Sequence, residues 1–104
     1  MNREGELDKV GNSVGLFRDA FKSAVGRLVQ REGRLIDVSR EKLLTATTLE
    51  KKNLAWYFEN DGVTEHDLEL YDSVMIDYWE RLERCLRAKE IEATVGSCLQ
   101  TLFR

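Results

Sequence analysis

The six residues Glu59-Asn60-Asp61-Gly62-Val63-Thr64 decide how the chain folds. Asn, Asp and Gly tolerate the left-handed backbone angles that a helix C-terminus and a tight turn both require. Thr64 then reads as an N-cap, and Asp67, three residues on, completes a shortened capping box. Val63 and Leu68 occupy the two positions of a hydrophobic staple across the same helix start. One helix must therefore stop near residue 59 and another begin at Thr64, so the chain is expected to form two helical arms that reverse direction at this turn.

On the C-terminal side of the turn, Leu68, Tyr71, Met75, Tyr78, Leu82 and Cys85 recur at alternating steps of three and four, the apolar stripe of an amphipathic helix. Lys89 and Glu92 then take up core-phase positions and the stripe resumes as Ile91, Val95, Cys98 and Leu102. The phase slips near residue 88, and Thr94-Val95-Gly96-Ser97 is expected to end or bend the helix. Cys85 and Cys98 would lie about 20 Å apart on an unbroken helix. That excludes a disulfide between them unless the chain bends sharply, and both are expected to be small buried thiols.

On the N-terminal side, Leu7, Val14, Phe21, Leu28 and Leu35 recur every seven residues, and Val10, Phe17, Ala24 and Val38 follow three positions after their partners. Arg31 is the one breach of this coiled-coil-like seam. Residues 1–11, with Gly5 and Gly11 among mixed charges, are expected to fray. At Gly33 two readings stay open. Either the helix runs through to Phe58 as one rod, or Gly33 ends it, Ser39 caps a second helix and Val38 staples to Leu43. Beyond Val38 the old heptad fails at Lys42, Thr45 and Lys52, and Leu43, Leu44, Leu49, Leu54 and Phe58 form a new stripe.

The 104 residues contain no proline, and 34% are charged and 42% hydrophobic, which suits long helices and one domain. The fold expected over residues 1–104 is all-α: a long helical hairpin, kinked or broken near Gly33. A lone hairpin leaves much of each seam wet. A homodimeric, coiled-coil-like four-helix bundle is therefore preferred, with a three-helix monomer as the solution if the chain breaks at Gly33. The seam comprises Val14, Phe17, Phe21, Leu28, Leu35, Leu68, Tyr71, Met75, Tyr78 and Leu82. The first ten residues are too charged for a signal peptide and no run approaches the ~20 apolar residues of a membrane span, so a cytoplasmic protein is expected.

Charge is distributed unevenly. Residues 53–80 hold eight carboxylates and no Lys or Arg, whereas the flanking segments are mildly basic. The same acidic segment carries six of the nine aromatic residues, Trp56, Tyr57, Phe58, Tyr71, Tyr78 and Trp79. An aromatic rim beside carboxylates is the pattern of a docking surface for a basic protein, with aromatics as anchors and carboxylates for steering. The expected contact residues are Trp56, Glu65, Glu69, Asp72, Ile76, Trp79 and Glu80, in a small adaptor, inhibitor or regulator. A structural or assembly module is the alternative, in which the acidic end only keeps the protein soluble.

Other classes find less support. The segment Val14 to Gln30 is amphipathic, with Phe17 and Phe21 ringed by Arg18, Lys22 and Arg27, and could lie on an anionic membrane, but such stripes are more often core. Two basic clusters, around Arg27 to Lys42 and Arg81 to Lys89, are interleaved with acids, and a pI near 5.2 is wrong for broad phosphate contact. His66 with Glu69 reverses the Glu-x-x-His order of helical metal sites and occurs once. A calcium loop placed on Gly62 would begin at Tyr57 and end at Leu68, neither of which ligates calcium through its side chain. With no nucleophile and base pair, phosphate loop or metal cluster, neither catalysis nor a cofactor is expected.

Overall fold

The computed structural model describes residues 3–60, 63–89 and 94–103, with side chains described from residue 15 onward except that of Lys89. The described residues are helical throughout, apart from short connections. They form α1 (Arg3–Glu32), α2 (Arg40–Glu59), α3 (Glu65–Lys89) and α4 (Val95–Leu102), with a single 3-10 turn at Leu35–Asp37 between α1 and α2.

Of the two readings of Gly33, the break is the one observed. Gly33 adopts φ +83°, the left-handed conformation that glycine enters without a Cβ penalty, and its N–H donates to the Val29 carbonyl to close the last turn of α1. Ser39 then caps α2, its hydroxyl accepting from the Lys42 N–H at 3.2 Å. Val38 and Leu43, the staple pair, are both buried. Leu35 keeps its buried place, although it stands in the 3-10 turn and no longer on a continuous rod.

The central turn follows the capping chemistry of its sequence. Thr64 and Asp67 exchange hydrogen bonds reciprocally: the Thr64 N–H donates to the Asp67 carboxylate at 3.0 Å, and the Asp67 N–H donates to the Thr64 hydroxyl at 3.1 Å. Val63 is buried beneath them. Asn60 ends α2, its side-chain amide donating to the Trp56 carbonyl. Asp61 and Gly62 lie outside the described residues.

Cross-helix contacts fix the topology. Arg27 pairs with Glu50 and Glu32 with Lys42, so α1 and α2 are antiparallel. Lys51 pairs with Asp72 and Arg40 with Glu80, so α2 and α3 are antiparallel as well. Phe17 packs edge-on against Tyr71 and Phe21 against Tyr78, which sets α3 parallel to α1. The result is a three-helix stack of 50 × 25 × 19 Å with α4 folded back along α3.

Phe17, Phe21, Leu28, Leu35, Tyr71, Met75 and Leu82 are all buried within one chain, with Leu68 and Tyr78 partly so, because α2 covers the seam between α1 and α3. The side chain of Val14 is outside the described set. The face of α1 that could have lain on a membrane is likewise core, since Phe17 and Phe21 are spent on Tyr71, Tyr78 and Phe103. No described helix is long and apolar enough to cross a membrane. The cysteines, expected as separate buried thiols, are instead joined as a disulfide with Cα atoms 5.8 Å apart. α3 ends at Lys89, and Thr94 starts α4 as its N-cap in a capping box with Ser97, so the two cysteines stand on separate helices. The slip in phase near residue 88 falls at the end of α3.

The buried face of α2 also differs from the expected stripe. Leu43, Thr47, Glu50 and Leu54 point inward, whereas Leu49 and Phe58 are exposed. Spacings of four, three and four put those four residues on one side of a helix, though two of them are polar.

Candidate interaction surface

Lys51 and Arg40 define one edge of the site, because both reach from α2 to carboxylates on α3. Lys51 Nζ lies 3.2 Å from Asp72, and Arg40 Nη2 lies 2.7 Å from Glu80. The acidic strip expected along α3 is thus the strip that faces α2, and the chain's own cations neutralise its middle and lower part.

The upper part is different. In an antiparallel pair, seven residues on from Lys51 and seven back from Asp72 keep the same sides and the same level, and they reach Phe58 and Glu65. Glu69 stands one turn further along α3 from Glu65. Glu65 and Glu69 are exposed and have no ion-pair partner among the described residues. On α2 the last two turns offer Trp56, Tyr57 and Phe58 in place of a cation, and all three are exposed. Tyr57 is anchored twice, its ring stacked edge-on with Trp56 at 4.9 Å and its carbonyl accepting from the Asn60 and Val63 N–H groups.

Not all of the expected contact residues gather here. Trp79 is only 3% exposed and belongs to the core, because α2 packs against the very side of α3 on which it stands. It is not available as an anchor. Ile76 is half-buried at the same seam. Trp56 is 61% exposed but lies about 150° around α2 from the buried face, beside Leu49 and away from α3. Asp72 and Glu80 are present on the strip but already paired. At this end the fold sets Phe58 level with Glu65, with Glu69 a turn further along α3, while Tyr57, seven residues on from Glu50, stands on the α1 side of α2. Phe58 was misread as core, and the signal that could have placed it is the 43-47-50-54 spacing of the buried face.

Beneath the site the stack is held by a polar contact in the core. Tyr71 is fully buried beside Phe17, and its hydroxyl donates to the Thr47 carbonyl at 3.2 Å. Burial, with help from the Glu50 charge, pushes its pKa up from 10.0 to about 12. Glu50 is 8% exposed, with one carboxylate oxygen on Arg27 and the other, Oε2, buried without a partner. These groups tie α1, α2 and α3 together. No group of three or more His, Cys, Asp or Glu side chains among the described residues is placed to hold a metal.

Comparison of the chain with family models, with curated proteins and with solved structures finds no match.

Proposed function

We propose that this chain is a helical protein-binding module, an adaptor, inhibitor or regulator, that takes a basic partner at the end of the stack where α2 meets α3. The observation that carries the reading is the change along one seam. Asp72 and Glu80 receive cations from α2, whereas Glu65 and Glu69 have no ion pair among the described residues and the end of α2 nearest them carries exposed aromatics in place of a cation. A partner's Lys or Arg would complete there the ion pairs that the chain makes further down, while Tyr57 and Phe58 supply the apolar contact. Exposed carboxylates of this kind act chiefly on association rate and are weakened by salt.

Charge reversal tests the reading. In capture experiments from native extract at low salt, the double variant E65R/E69R is expected to lose the partner that the native chain retains, with helicity by circular dichroism unchanged. Raising the salt should release the same partner from the native chain. Retention of that partner by E65R/E69R would sink the assignment of the surface.

The second reading, a module of a larger assembly, is favoured by a separate observation. At the other end of α2 lies an apolar cavity with arginines at its rim.

A further inference from the structure

We infer that the acidic end of one copy docks into the arginine-rimmed cavity of a second copy, so that the chains associate head to tail. The inference rests on the proposed function, since it names the basic partner of Glu65 and Glu69.

The cavity measures about 570 Å³ and opens where α1 ends and α4 begins. Its walls are Val29, Leu35, Leu86 and Val95, and Arg34 and Arg87 stand at its edge. Ile36, also lining it, is 60% exposed. The left-handed turn at Gly33 carries the chain from α1 to Leu35 and Ile36, and a Cβ at Gly33 would meet nothing, so this side is open. No carboxylate lines the cavity among the described residues. Arg34 has no ion-pair partner there, and Arg87 has only the exposed Glu83 at 3.6 Å. An apolar hollow edged by guanidinium groups suits an aromatic side chain flanked by carboxylates.

Such a group exists on the same chain. Phe58, level with Glu65 and a turn from Glu69, offers that chemistry in complement, apolar to apolar and anion to cation. The two surfaces stand at opposite ends of α2, about 30 Å apart along its 20 residues, so one copy cannot fill its own cavity. The contact is therefore heterologous, and repeated copies give an open series and not a closed pair.

Sedimentation velocity on the oxidised full chain at low salt tests this. The native chain is expected to show a mass that grows with concentration and falls with salt. E65R/E69R and R34E/R87E should each be monomeric, with affinity lowered tenfold or more, about the effect of 1.4 kcal/mol. Mixed in equal amounts, they should associate again into an open series, because the native end of one variant meets the native cavity of the other and the reversed end meets the reversed cavity. The fourfold variant carrying both changes should associate again with its charges exchanged, which excludes unfolding as the cause. A native chain that stays monomeric or forms a fixed dimer overturns the inference, as does a mixture that does not pair. Loss of the extract partner in E65R/E69R with no self-association would overturn head-to-tail docking alone and leave the proposed function standing.

Discussion

At Tyr71 a hydroxyl that titrates at 10.0 in water is held in the protonated form up to about pH 12, because its anion would be buried near the Glu50 carboxylate. The unfolded chain releases this proton at its ordinary pKa and the folded chain only at the higher one. Tyr71 therefore contributes its full share to stability below pH 10, and the share is lost as pH rises from there through about 12, on the order of 2 to 3 kcal/mol. The control is Y71F, which lacks the hydroxyl. Urea midpoints of the native chain should fall more steeply above pH 10 than those of Y71F, and equal slopes would refute the account. Arg27 and Glu50 make the second prediction at this scale. R27A strands a buried carboxylate and should destabilise by about 3 kcal/mol, whereas R27M/E50L, which removes both charges, should stay within about 1 kcal/mol of the native chain. Chemical denaturation of the single and double variants checks both figures.

Among the elements, α4 is the one held covalently. Cys85 and Cys98, 13 residues apart, close a loop for which the loss of chain entropy in the unfolded state gives roughly 3 kcal/mol. Reduction is therefore expected to lower the unfolding free energy from urea titration by that amount, and C98S should match the reduced native chain and respond no further to reductant. A disulfide here also sits poorly with the cytoplasmic location expected from the N-terminal residues, since reducing compartments keep such pairs open. The elements differ in how far they could be read in advance. The turn and its capping box were legible because Thr64, Asp67, Val63 and Leu68 act within one helical turn. The cap at Ser39 was legible for the same reason, though local signals left its competition with a continuous rod open. The inward face of α2 was not, because Thr47 and Glu50 are polar and their places depend on Tyr71 and Arg27 from other helices. The disulfide was hidden because a straight helix would separate Cys85 from Cys98, and only the packing of α4 back along α3 brings them together.

For the molecule as a whole, three helices in one chain bury one shared apolar seam. The apolar seams are satisfied internally, and the surface is left with two unlike ends, one with unpaired carboxylates and aromatics, the other with arginines around an apolar hollow. The polarity was visible in the sequence as eight carboxylates without a cation in residues 53–80. Which of them remain free was not, since that depends on Arg40 and Lys51 lying opposite Glu80 and Asp72 across an interface that sequence spacing does not specify.

The most direct test of that surface is an NMR titration of the isotope-labelled chain with the partner recovered by capture, followed through the backbone amides at low salt. The account predicts that the shifts gather on residues 57–60 and 63–69 and fade as salt is raised. Shifts gathered instead around Leu49 and Trp56 on the far side of α2, and indifferent to salt, would contradict it.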